Sequence, residues 1–162
     1  MEVKQYLIRG VASDKNVAKI TVLGIPNKPG FATASFLNWQ KNVDVDMIVQ
    51  SVRYANEGVT DITFTIARTD LEEAESVFES LRSEMPVEDI IIDDKMAKVS
   101  VVGAGMAGHP GIAAGMFGVL SDNDINIEII STSEISITCL IAEEVVDKAV
   151  KAIHQHFFDE ED

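Results

Sequence analysis

Two Pro-Gly pairs, Pro29-Gly30 and Pro110-Gly111, stand 81 residues apart, and each ends a short β run and opens a stretch with helical spacing. Glycine at such a helix start presents backbone N–H groups that lack an intrahelical acceptor, and the helix dipole there favours an anion such as a carboxylate. Polar side chains stand at the strand start that follows each helix: Asp44 and Asp46 after the first, Asn126 and Glu128 after the second. Groups of this kind hold an ammonium. A carboxylate gripped at one end and an ammonium at the other describe a free amino acid. The groups expected to line the gap, Asn27, Gln50, Ser133 and Glu134, would set which amino acid fits. Paired equivalent sites point to sensing a ligand rather than transforming it.

The elements that must position these groups recur in one order. KITVLGIPNKPGFATASF from Lys19 aligns with KVSVVGAGMAGHPGIAAGMF from Lys98 once two extra residues are allowed before the second Pro-Gly. In the first repeat residues 20–24 read as a mostly buried strand, and Pro26, Pro29 and Gly30 end it. Phe31, Ala32, Phe36 and Trp39 recur at helical spacing. Val43, Val45, Met47 and Val49 alternate with Asp44, Asp46, Ile48 and Gln50, the period-2 signature of a strand. A loop with Asn56-Glu57-Gly58 leads to a β-branched strand over 61–66. Thr69 with Glu72 fits a capping box, and Leu71, Ala74, Phe78, Leu81 and Met85 describe an amphipathic helix. Residues 90–92 supply a fourth strand, so the order is βαββαβ, the ferredoxin-like arrangement. The second repeat follows from Val99, with strands at 126–131 and 135–141 and a helix carrying Val146, Ala149, Val150, Ile153 and Phe157. Only DEED follows Phe158, which leaves this repeat without a fourth strand, while the β-like segment 6–11 has no partner in sequence. The expected fold is therefore α+β: one domain of residues 16–94 inserted into another made of 1–15 and 95–162.

The balance of 13 basic against 27 acidic residues gives a formal charge of −14, which repels nucleic acid and anionic lipid surfaces. Cys139 is the only cysteine, so no internal disulfide can form and a reducing, cytoplasmic setting is expected. No apolar run is long enough to span a bilayer, and MEVKQYLIRG lacks the pattern of a signal peptide. Gly103-Ala104-Gly105-Met106-Ala107-Gly108 matches a dinucleotide fingerprint, with Glu128 twenty residues on. A helix starting within those glycines would place Pro110 in its second turn, where it removes a hydrogen bond and clashes, so a tight entry to the Pro-Gly turn is the better reading. His154 and His156, two apart on a helix, diverge and read as solvated helix-end histidines rather than metal ligands. His109 reads as a structural loop histidine, and Cys139 reads as core packing.

KITVLGIPNKPG, VDMIVQSV, TDITFTI, KVSVVGAGMAGHPG and INIEIISTSEISI together resemble the tandem ACT domains of the regulatory region of aspartokinase, over nearly the whole of residues 8–156. The resemblance implies two ACT domains with the insertion topology, a homodimer through them, and feedback regulation by lysine and/or threonine. It also implies an aspartokinase catalytic domain or α subunit as partner, within the aspartate-family pathway of lysine, threonine and methionine. By the same resemblance the first site uses Asn27, Lys28, Pro29, Gly30, Phe31, Ala32, Asp44, Val45, Asp46 and Gln50, and the second uses Ile112, Ala113, Asn126, Ile127, Ser133 and Glu134, each against a facing repeat of another chain. The family commonly has Asp at the place of Asn27 and Asn at the place of Asp44, with a one-residue-shorter connection before Asp44. Nothing in the chain resembles a nucleotide-binding core. It is expected to be non-catalytic and to hold no cofactor or metal, ATP and Mg²⁺ belonging to the kinase domain. A separately made regulatory subunit and a C-terminal piece of a longer enzyme both fit. The rival readings are a small dinucleotide-dependent oxidoreductase built on residues 103–108 and an RNA-binding module, the latter disfavoured by the negative charge.

Overall fold

Ala18, Ile20 and Val22 are buried while Lys19 and Thr21 between them are only partly so, the alternation that lays one face of a strand on a core. In the computed structural model, which describes residues 8–30, 43–53, 58–104 and 109–159, this strand outruns its pattern: β1 spans Ile8–Pro26. It takes in the N-terminal β segment from Ile8 onward together with the first strand of the first repeat. Asp14, Lys15 and Asn16, which separate the two in sequence, stay extended and exposed. Likewise β4, Asp89–Gly103, joins the strand expected at 90–92 to the one that opens the second repeat. The remaining strands are β2 (Val45–Arg53), β3 (Val59–Ile66), β5 (Ile129–Thr132) and β6 (Ser136–Ala142). The described helices are α1 (Leu71–Glu84), α2 (Pro110–Asp122) and α3 (Val146–Phe158). The helix expected from Phe31 through Trp39 lies outside the described residues.

The chain divides into two compact units, one of residues 16–94 and one combining the chain up to Lys15 with the chain from Lys95. Within the first, hydrogen-bonded neighbours run β2-β3-β1-β4; within the second they run β5-β6-β4-β1. The pairs β1–β3, β2–β3, β4–β6 and β5–β6 are antiparallel, and the fold class is α+β. In the first unit α1 lays Ala74, Phe78 and Leu81 on Ala18, Ile20, Val22, Ile62, Phe64 and Ile66. In the second, Ile112, Met116 and Leu120 of α2 join Val146, Ala149, Ile153 and Phe157 of α3 over Ala97, Val99, Val101, Ile137, Cys139 and Ile141. Each fully buried aliphatic or Phe side chain contributes about 1.5–3 kcal/mol through burial. On the opposite sheet face the repeats carry matching hydroxyl pairs, Thr21 with Thr63 at 3.3 Å and Ser100 with Thr138 at 2.7 Å.

Three local features depart from the sequence pattern. In β2 the register passes from Asp46↔Thr65 to Val49↔Thr63, three residues against two, and Met47 sits at φ +41. This bulge turns the following side chains over: Met47 is buried, but Val49, expected inward, is 42% exposed. The capping box of Thr69 and Glu72 does not form. Residues 68–70 make a 3₁₀ turn instead, the Thr69 N–H donates to Asn16 Oδ1 at 3.2 Å, and Asp70 is the N-cap of α1 without a side-chain cap bond. Finally, β5 begins at Ile129 rather than 126, because α2 ends in a Schellman turn. Asp124 takes φ +55, its N–H donates to Ser121 O at 3.0 Å, and the Ile125 N–H reaches Leu120 O at 2.9 Å. Lys148 Nζ caps the same end through Asn123 O at 2.8 Å.

Candidate functional site

In the unit that contains α2, Pro110 is the first helical residue and His109, half-buried, is the N-cap. Gly111 is exposed in the first turn, the Ile112 N–H returns to His109 O at 3.1 Å, and the Ile112 side chain is buried in the core. Ile112 therefore has only its main chain to offer a ligand, while Ala113 is half-buried. Ser133 and Glu134 form the exposed tip between β5 and β6. The Ser133 N–H donates to Ser136 O at 2.8 Å, and its Oγ accepts from the N–H groups of Ile135 at 3.3 Å and Ser136 at 3.1 Å. The Gly103 N–H donates to Ile135 O at 2.8 Å, which ties this tip to the end of β4 that leads toward α2. The helix start and the hairpin tip thus share one end of the unit. Asn126 and Ile127 sit at the other, beyond the 13-residue α2, roughly 20 Å away at helical rise. They line an open groove of about 430 Å³ with Phe117, Ser121, Asp124 and Ile125.

Residues 16–94 repeat this separation. Asn27, Lys28, Pro29 and Gly30 are all exposed, but the Asn27 N–H donates to Gly58 O at 2.8 Å and the Lys28 N–H to Pro26 O at 2.9 Å. Those two amides are spent within the fold, and proline has none, so Gly30, at φ +90, carries the remaining amide of the turn. Val45 pairs with Ile66 and Asp46 with Thr65, and Ile66 in turn pairs with Ala18. Asp44 to Asp46 therefore lie at the end of the sheet opposite Pro26, about 25 Å away at strand rise. Gln50 pairs with Ile62 midway and is exposed. Phe31 and Ala32 lie outside the described residues. The expectation that each helix start faces the strand start of its own repeat is corrected: within each unit the turn and the strand start lie at opposite ends.

One constellation was not foreseen from sequence. Arg53 Nε and Nη2 donate to Asp61 Oδ2 and Oδ1 at 2.9 and 2.8 Å, and Nη1 and Nη2 donate to Glu88 Oε1 and Oε2 at 3.0 and 2.9 Å. The guanidinium hydrogen bonds hold the Asp61 carboxyl below the ordinary carboxylate range, helped by the Gly24 N–H. An Asp at the third position of a β-branched strand, within reach of an Arg on the neighbouring strand, was the available signal. Cys139 is fully buried in β6 and burial pushes its thiol up to about 11, as expected for a packing residue. His154 is exposed, 3.9 Å from Asp159. His156 departs from the solvated reading: its Nε2 is buried without a partner among the described residues, and its ring packs edge-on to Phe157 at 4.7 Å. Gly105 to Gly108 of the glycine fingerprint lie outside the described residues, but α2 begins at Pro110 and the Gly103 amide is already bonded. The dinucleotide reading finds no support. Among the described residues no helix is long and apolar enough to cross a membrane, and no group of three or more His, Cys, Asp or Glu is placed to hold a metal ion.

Residues 99–157 match the ACT domain family, so a protein built on ACT domains is the class that this repeated α+β unit defines. The aspartokinase of Corynebacterium efficiens is 43% identical over 155 residues, covering 95% of this chain and 37% of that relative. The aspartokinase of Corynebacterium glutamicum is also 43% identical, over 156 residues, covering 96% and 37%. The solved regulatory subunit of aspartate kinase from Thermus thermophilus, in its ligand-free form, is 35% identical with a TM-score of 0.87, covering 93% of this chain and 99% of that one. A crystal structure of aspartokinase α and β subunits matches at 38% identity and a TM-score of 0.83, covering 93% and 98%. The chain belongs to the family of aspartate kinase regulatory regions. It spans about 37% of the length of the curated aspartokinases it matches.

Proposed function

We propose that this chain is the amino-acid-binding regulatory module of an aspartate kinase in the cytoplasm, taking lysine and/or threonine as feedback effectors. The observation that carries the reading is the separation repeated in both units. Each unit has an amide-bearing turn at one end and an acidic or amide-bearing strand start at the other, too far apart to grip one zwitterion. A second copy, placed antiparallel, brings one copy's turn against the other's strand start and completes both sites. Ile48, Val49 and Val52 of β2, with Ile130 of β5 and Ile135, are 42–62% exposed and supply apolar surface for such a homodimer. Effectors that bind better to one arrangement of the dimer would shift a catalytic domain or α subunit between active and inhibited states. The groove beside Asn126 offers acceptor groups from Asp124, Ser121 and Asn126 for an ammonium, at the negative end of the α2 dipole.

Calorimetric titration of the whole chain with lysine and with threonine tests this. Saturable binding of at least one is expected, weakened by Gln50→Ala at the first site or Glu134→Ala at the second without loss of fold. A folded sample that gives no heat with either amino acid removes the effector reading.

A further inference from the structure

We propose that Arg53 is a positioning residue that aims the turn of residues 27–30, acting through Asp61, Glu88 and the bulge at Gly24. Its effect on effector affinity rests on the reading above; its effect on the turn does not.

The β1–β3 register passes from Val22↔Ile62 to Ile25↔Thr60, so Leu23 and Gly24 make a one-residue bulge, with Gly24 at φ +71. Both bulge residues are held by the partners of one guanidinium. The Gly24 N–H donates to Asp61 Oδ1 at 2.9 Å, and Leu23 O accepts from the Glu88 N–H at 2.8 Å. Arg53 grips the carboxylates of both Asp61 and Glu88 with paired hydrogen bonds of 2.8–3.0 Å. Three residues beyond the bulge, Asn27 begins the turn, its N–H on Gly58 O. A bulge that relaxes by one residue turns over every side chain that follows it. Side-chain exposures of 30% for Arg53 and 55% for Glu88 make this network a weak source of global stability. What paired guanidinium–carboxylate geometry fixes well is orientation.

The second repeat serves as an internal control. Gly103, the counterpart of Gly24, has its N–H held by the Ile135 carbonyl at 2.8 Å, with no charge involved. The registers Val49↔Thr63 and Ser131↔Thr138 match Arg53 with Ile135, an exposed apolar residue that carries no charge. The charged device exists in one repeat only, so the two turns should respond differently to its loss.

The test compares the full-length chain with Arg53→Met and Arg53→Lys by amide hydrogen exchange and by titration with lysine and threonine. In Arg53→Met the Gly24 and Asn27 amides should exchange at least about tenfold faster, as loss of a single hydrogen bond allows, while Gly103 is unchanged. Binding that Gln50→Ala weakens should fall by about tenfold, while binding that Glu134→Ala weakens holds. Arg53→Lys should restore part of each, since lysine returns the charge without the fork. Unchanged exchange at Gly24 and Asn27, or equal acceleration at Gly103, overturns the proposal. If the unaltered chain takes up neither amino acid, the effector reading fails and the amide readout still decides whether Arg53 sets the turn.

Discussion

Single residues divide here into those a ligand can use and those the fold has already engaged. Gly30, at φ +90, has no amide partner among the described residues, whereas the Asn27 and Lys28 amides close the turn on Gly58 and Pro26. That distinction was not legible in sequence, because it depends on which carbonyls the folded chain brings within reach. Cys139 was legible, since an apolar strand with no adjacent cation implies an inert buried thiol. Asp61 carries a pH dependence whose sign follows from its environment. Arg53 lowers its folded-state value from 3.8, so its stabilisation is fully present above about pH 4 and is lost as pH falls through the depressed value. Denaturant unfolding of Asp61→Asn should therefore show lower stability at pH 7 and a flatter decline below pH 4 than the unaltered chain. Parallel pH profiles for the two proteins would contradict this.

At the level of strands and helices, periodicity carried most of the information. Ala74, Phe78 and Leu81 of α1, and Val146, Ala149, Ile153 and Phe157 of α3, are the buried faces that their spacing describes. The bulges were hidden, because Met47 adopts a positive φ that nothing in a β-branched context announces. The continuity of β1 was hidden by Asp14, Lys15 and Asn16, which read as a break and are an exposed stretch of strand. The contact of α2 with α3 hinges on Gly115, where an added Cβ would lie 2.9 Å from His156 Nε2 and 3.4 Å from Phe157 Cζ. Gly115→Ala gains about 1 kcal/mol of helix propensity against about 1–3 kcal/mol of overpacking. Chemical denaturation should show Gly115→Ala to be less costly in a His156→Ala background than in the native one, with a coupling of about 1 kcal/mol. Simple additivity would mean that His156 does not meet that helix face.

For the whole molecule, the duplication was legible because two Pro-Gly turns, two strand pairs and two helices repeat in one order, and the paired hydroxyls on the far sheet faces repeat with them. What the duplication could not show was that turn and strand start lie at opposite ends of each unit, roughly 20 Å apart along α2 in one and about 25 Å apart along the strands in the other. On the proposed function a second copy completes each site, and mixing of altered chains tests this most directly. Glu134→Ala breaks the turn half of the second site and Asn126→Ala breaks its strand half. Each variant alone should lose that site. Sites shared between copies require that mixed dimers regain one intact site of two, so an equimolar, re-equilibrated mixture should recover about a quarter of the native site number in calorimetry. No recovery on mixing, with mixed dimers shown to form, would mean that each site lies within one chain and would contradict the shared-site account.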